Sequence, residues 1–158
     1  MSTYHHGDLR PALLRAAGKI LEQEGREAIS LRDLARRAGV SHNAPYRHFA
    51  DRGALLAALA EEGYALLAQA LAGKPWREQA VTYVHFALAN PARFGLMFTR
   101  PVPEELRRLV GGDAVAQATW AIVHGLTHLI LAGHFPGEDP EALVRRTLGE
   151  VRFAQRSS

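Results

Sequence analysis

Residues 38–59, AGVSHNAPYRHFADRGALLAAL, crowd two histidines, an asparagine, a tyrosine and two arginines between two apolar patterns of helical spacing. These groups are donors and cations rather than nucleophiles or paired carboxylates, so the chemistry that suits them is recognition of a polyanion. Asparagine can pair bidentately with adenine and arginine with guanine, and an alanine methyl can meet a thymine methyl. Base reading is therefore expected of His42, Asn43, Ala44 and Arg47. Arg52 would open a helix capped by Asp51, where a cation opposes the helix dipole. With the free N–H groups of that helix end it is expected to form a phosphate seat. Ser30 would add its hydroxyl or backbone N–H to the phosphate contacts, which fix register without reading sequence.

Charge placement points the same way. Residues 1–52 carry nine Lys/Arg against six Asp/Glu, a balance of +3, whereas residues 53–158 carry ten of each. The excess is confined to the first third, which favours an anionic partner there.

Holding such groups in place requires helices, and nearly the whole chain reads as helical. Leu9, Leu13, Ala16, Ile20 and Leu21 fall at helical spacing behind Asp8 as N-cap, and Gly25 ends the pattern. Ser30 and Asp33 make a capping-box pattern at the head of SLRDLARRAG, which Gly39 terminates. Ser41 caps a short helix reaching Phe49, in which Pro45 removes a backbone donor. Asp51 opens a helix through Leu55, Leu59 and Leu67 to Gly73. Further helices are expected from Pro75, from Pro91 after the cap Asn90, within RPVPEELRRLVGGD, from Ala114 to Ala132, and from Pro140 after the cap Asp139. No period-two strand pattern competes. Helix, glycine-bearing turn and short second helix is the helix-turn-helix arrangement, whose second helix enters a major groove while the first braces across the backbone. Leu31, Leu34, Ala35, Val40 and Ala44 would lock that pair, Phe49 and Leu55 would join the core, and Arg32, Arg36 and Arg37 would mostly form a solvated face.

Residues 8–60 resemble the DNA-binding domain of the TetR/AcrR family of transcriptional regulators. The resemblance rests on LLRAAGKILEQEG, ISLRDLARRAGVS and YRHFADRGALL, the last following the family's Tyr-x-x-Phe-x-x-Lys-x-x-Leu pattern with Arg52 in place of lysine. It implies Tyr46 and His48 as a phosphate-contacting pair, so that the expected DNA-binding set is Ser30, Ser41, His42, Asn43, Ala44, Tyr46, Arg47, His48 and Arg52. The segment TWAIVHGLTHLILAGHF is similar to the Trp-His-Gly type of C-terminal regulatory domain found in part of that family. The fold expected is all-α, with about eight or nine helices. An N-terminal three-helix helix-turn-helix domain would span residues 1–52, and a helical ligand-binding and dimerisation domain residues 53–158.

The helix from Ala114 is apolar on two sides, Val115, Thr119, Ile122, Leu126 and Leu129 on one and Trp120, Val123, Thr127 and Leu131 on the other. A helix apolar all round must be covered all round. Leu126 and Leu129, with Leu143, Leu148 and Val151 of the last helix, are the expected dimer face, since the family pairs two such helices with their twins. A two-fold protein suits a palindromic operator. The resemblance also implies a pocket for a small-molecule effector, for which Tyr83, Phe86, Phe94, Met97, Phe98, Trp120 and His124 are available. An aromatic stripe at this spacing is otherwise core.

His124 and His128 stand four apart, a spacing that can hold zinc. HGLTH lacks the glutamate of the metalloprotease motif, and no third ligand is evident, so neither a metal nor a cofactor is expected. Gly-rich phosphate loops, nucleophile elbows and paired carboxylates are missing from the sequence, so an enzyme is not expected. The chain has no cysteine and 47% apolar residues, which fits a reducing cytoplasm and a real core. No uninterrupted apolar run suggests a signal peptide or a membrane partner. The reading reached is a cytoplasmic, ligand-responsive repressor that binds double-stranded DNA as a homodimer. The rival readings are a small-ligand binding protein without useful DNA affinity and a histidine-metal enzyme.

Overall fold

The structure is a computed structural model that describes residues 9–110 and 112–150. It is all-helical, with no strand among the described residues. The chain forms two compact units, one of residues up to Gly63 together with Ala92–Pro101, the other of Tyr64–Pro91 and the residues from Val102 onward. The division does not fall at the expected 52/53 boundary. Asp51 does cap a helix there, accepting from the Ala54 N–H at 2.7 Å, but the first turns of that helix carry Leu55 and Leu59, both fully buried in the first unit's core.

In the first unit, α1 (Leu9–Glu24) packs against a 3-10 turn (Arg26–Ala28), α2 (Leu31–Arg37) and a second 3-10 turn (Pro45–Arg47). Leu13, Ala17, Ile20 and Leu21 of α1 meet Leu34, Phe49 and the head of α3 (Arg52–Leu71) in one cluster. Burying a side chain of this size stabilises the fold by about 1.5–3 kcal/mol, far more than the intrinsic propensity of helices this short. Ser30 Oγ accepts the Asp33 N–H at 3.1 Å at the head of α2. Only this half of the capping box forms, because the Asp33 carboxylate is taken by Arg36 and Arg37. At the other end Gly39 N–H bonds Arg36 O at 3.2 Å and Val40 N–H bonds Ala35 O at 3.1 Å. Gly39 stands at φ 64°, so this is a Schellman closure that a Cβ would strain.

The expected helix from Ser41 to Phe49 is instead the short 3-10 turn. Arg47 N–H bonds Ala44 O at 3.2 Å and His48 N–H bonds Pro45 O at 3.0 Å, an i to i+3 pattern. Pro45 stands at the turn's start without an N–H to give, so no α-type bond can run from it back to Ser41.

α5 (Pro91–Met97) supplies most of the remaining first-unit segment. Asn90 was expected to cap it, but its Nδ2 donates back to Phe86 O at 3.0 Å and closes α4. The cap comes from α1: Glu22 accepts the Ala92 N–H at 3.1 Å and the Arg93 N–H at 2.8 Å. The largely buried Arg93 then reaches Glu62 of α3 at 2.7 Å, and its guanidinium fills the place a Cβ at Gly18 would need.

In the second unit, α4 (Trp76–Ala89) lies against both α7 (Ala114–Leu131) and α8 (Pro140–Glu150), and α7 also contacts α6 (Glu104–Val110). Pro75 precedes α4 as its cap residue rather than opening it. Asp113 and Asp139 cap α7 and α8, accepting from Ala116 N–H at 2.8 Å and Ala142 N–H at 2.7 Å. Leu126, Leu143 and Leu148 were expected on a dimer face but are buried within the chain, because α8 turns its apolar side toward α4 and α7. Leu129 is 44% and Val115 47% exposed. Asp8 and Val151 lie outside the described residues. By length and composition α3 and α7 are each apolar enough to cross a bilayer, which no single uninterrupted run in the sequence suggested; a core helix passes the same test.

Replacing Glu22 with alanine leaves two N–H groups of α5 without their acceptor. Chemical denaturation should show a loss of about 1 kcal/mol, with Glu22→Gln falling between the two.

Candidate nucleic-acid interface and cavity

The turn between α2 and α3 separates its side chains cleanly. Pro45 and Phe49 are buried, while His42, Asn43, Tyr46 and Arg47 are exposed, Tyr46 by 51%. Ser41 is also exposed, and Ala44 and His48 are half-buried. The buried pair anchors the turn to α1 and α2, so the exposed side chains stand on a packed base rather than on a free loop. A shallow depression next to it is bounded by Ser30, Arg32, Arg36, Val40 and His42, which brings His42 beside the arginines of the bracing helix. Arg36 and Arg37 are committed to Asp33, and Arg37 also reaches Glu24 at 3.0 Å. Hydrogen bonds from both guanidiniums hold the Asp33 carboxyl below the usual carboxylate range. Arg32 has no ion pair among the described residues.

Arg52 differs from its expected role. Its Nε donates to Ile29 O at 3.0 Å, and its Nη2 donates to Arg26 O at 2.6 Å and to Glu27 at 3.1 Å. The guanidinium is therefore engaged by carbonyls where the first 3-10 turn meets α2, that of Arg26 also accepting the Ile29 N–H, and is not held out as a phosphate seat. Two carbonyls are met by two separate nitrogens of one planar fork, a geometry that a lysine ammonium does not reproduce. Glu27 and these carbonyls supply the negative potential that draws it inward.

In the second unit a cavity of about 410 Å³ opens between α4, α6 and α7. Tyr83 and Trp120, both expected, line it; Trp76, Gln79, Asp113 and Val123 line it as well. His124 stands behind this wall, its Nδ1 2.7 Å from the Tyr83 hydroxyl and its ring 4.5 Å from that of His128 in an edge-on contact. Burial pushes the Tyr83 phenol well above its ordinary range. Burial, then the neighbouring His128, pushes His124 below its ordinary value. Trp120 Nε1 is buried without a hydrogen-bond partner among the described residues. Phe86 is half-buried and does not line the cavity. Phe94, Met97 and Phe98 belong to the first unit, where Phe94 and Phe98 rings lie 4.9 Å apart. No group of three or more potential metal ligands occurs among the described residues. Sequence reasoning missed Trp76, Gln79 and Asp113; the proline and aspartate that open α4 and α7 mark helix starts, but only packing brings those two starts together.

The first unit thus carries a helix-turn-helix scaffold and the second an aromatic cavity. Residues 13–59 match the family described as bacterial regulatory proteins, tetR family. That match assigns residues 13–59 to the tetR family. HTH-type transcriptional regulator Rv1816 of Mycobacterium tuberculosis is 29% identical over 115 residues, 61% of this chain and 49% of that protein. The chain thus spans about half the length of the curated relatives it matches. A protein of unknown function from Rhodococcus sp. RHA1 is 33% identical, with 93% of this chain and 95% of that one superposed at a TM-score of 0.74. A TetR variant from Acinetobacter baumannii in complex with minocycline shares the fold at 23% identity and a TM-score of 0.60, over 86% of this chain and 89% of that one.

Two outcomes are expected from this geometry. Arg52→Ala should lower unfolding free energy by about 1 kcal/mol and weaken DNA binding without changing the slope of log affinity against log salt. A flatter slope would return Arg52 to the phosphates. His124, whose folded value lies below its unfolded one, binds its proton more readily in the unfolded chain, so stability should fall as pH drops below the ordinary value of 6.5. Thermal unfolding between neutral and mildly acid pH should show that fall, and His124→Gln should reduce it.

Proposed function

We propose that the protein is a ligand-responsive repressor that binds a palindromic operator as a homodimer, in the compartment that holds the DNA. The observation that carries this reading is the exposed set His42, Asn43, Tyr46 and Arg47 on a turn anchored by buried Pro45 and Phe49. In this reading Arg47 and Asn43 read bases. Tyr46, His48, Ser30 and Ser41 supply phosphate contacts, and Ala44, half-buried, offers only its methyl. In this reading Arg52 contributes by holding the segment ahead of α2 rather than by touching DNA.

Dimerisation is supported by the exposed apolar side chains on α7. Val115 and Leu129 stand out of the chain's own core, with half-buried Ile122 between them on the same stripe. Covering that stripe with a second copy removes apolar surface from water, and a two-fold pair presents two reading turns to one operator. Leu129 is then the interface residue retained from the expected set. The cavity in the second unit is the effector site of this reading, with Tyr83 and Trp120 as its aromatic walls. Two proteins of the same fold are described with small molecules, the minocycline complex and the multidrug binding protein EbrR complexed with imidazole, the latter at 21% identity and a TM-score of 0.63 over 94% of this chain and 92% of that one. An effector releases the operator only to the extent that it binds the released arrangement more tightly.

Selection of genomic duplex fragments by the purified protein, followed by sequencing, should recover a two-fold motif. Arg47→Ala should then relax preference at one position of each half-site by about 1–3 kcal/mol and leave the others unchanged. Recovery of no motif at low salt by folded protein would favour a ligand-binding protein without useful DNA affinity.

A further inference from the structure

The cavity in the second unit has a one-sided polar chemistry. Among the described residues its lining contains no Lys, Arg or His, and Asp113 is its one ionisable carboxylate. One Asp113 oxygen is spent on the Ala116 N–H; the other has no partner among the described residues. The Gln79 amide nitrogen is turned to Leu71 O at 3.4 Å, which leaves its oxygen as an acceptor. Thr119 gives its hydroxyl proton to Val115 O at 2.8 Å, and the Tyr83 hydroxyl is engaged by His124. Trp120 presents ring surface, since its Nε1 is buried in the wall. What remains for an occupant is two acceptors, one of them charged, set among the faces of Trp76, Tyr83 and Trp120.

From this we infer that the cavity takes a lipophilic organic cation, an aromatic or alicyclic body carrying a protonated amine. The inference rests on the reading of the cavity as an effector site and names the chemical class of the effector. An anion would meet the Asp113 carboxylate with no cation among the described lining residues to balance it. A cation meets the free Asp113 oxygen and the negative faces of the aromatic rings. The unit already makes one such contact, with Arg77 Cζ lying 4.4 Å from the centre of the Trp76 ring. The apolar walls from Leu71, Ala80 and Val123 take the remainder of the ligand.

The test uses the full chain and three probes that share an anthracene body and differ in the charge of the group it carries: anthracenylmethylamine, anthracenemethanol and anthracenecarboxylate. Trp76 and Trp120 are the chain's two tryptophans and both line the cavity, so energy transfer from tryptophan to anthracene reports occupancy. The amine should bind roughly fivefold more tightly than the alcohol, as a partly exposed ion pair with a cation–π contact allows, and the carboxylate weakest of the three. Asp113→Asn keeps a capping side chain on α7, so the fold is retained. In that variant the preference for the amine over the alcohol should fall to near unity, with the alcohol's own affinity unchanged. Carboxylate binding as tight as the amine, or an amine preference that survives Asp113→Asn, overturns the cation while leaving the cavity a ligand site. Saturable transfer from none of the three overturns the ligand site itself and with it the cation.

Discussion

The Arg52 guanidinium on the carbonyls of Arg26 and Ile29 is the contact on which the first unit depends. α2 has seven residues and the second 3-10 turn three, both too short to persist in water by their own hydrogen bonds. They hold their shape because their ends and undersides are met from outside. Ser30 caps the head of α2, Gly39 allows its Schellman closure, and Arg52 draws the chain just ahead of it against the head of α3. α5 depends on the same kind of help, with Glu22 of α1 meeting its first two free N–H groups. The Arg93–Glu62 pair beneath it is tolerable as a buried charge because its partner is in direct reach. The unit is thus a set of short pieces tied at their ends, which lets a few exposed side chains be presented with little freedom.

The second unit solves a different problem. α7 is apolar on more than one side, and only Val123, Leu126 and Thr127 of it are buried within the chain. Part of the remaining surface faces an aromatic cavity and part faces outward at Val115 and Leu129. The same lack of self-coverage therefore leaves both a place for a small molecule and a surface suited to a second copy. Behind the cavity wall, the Tyr83–His124 bond fixes a polar pair that burial would otherwise make costly.

Much of this was legible in the residues, and the exceptions share a cause. Ser30, Asp51 and Asp139 each sit three residues before the N–H they accept, so local spacing was enough to read their caps. Asn90 carried an equally good local signal ahead of Pro91, but Glu22, far away in sequence, took the position. Arg52 was legible as an unusual cation at a helix start, and its partners were not, since the carbonyls it meets lie 23 and 26 residues upstream. The aromatic residues of α4 and α5 read alike, yet Tyr83 lines the cavity while Phe94 and Met97 belong to the other unit.

The sequence by itself determined most of the helices, the caps at Ser30, Asp51 and Asp139, the glycine turn and the residue types on the exposed turn, because each depends on groups within about four residues along the chain. Pro45 belongs with these, since a missing N–H needs no partner to act. Tertiary structure alone decided which apolar stripe of α7 is covered, that Leu143 and Leu148 are core, that Arg52 faces carbonyls, and that Trp76 and Asp113 share one cavity. Helical periodicity shows that a face is apolar but not what lies against it, and an unsatisfied donor takes its acceptor from whatever element packing brings within reach.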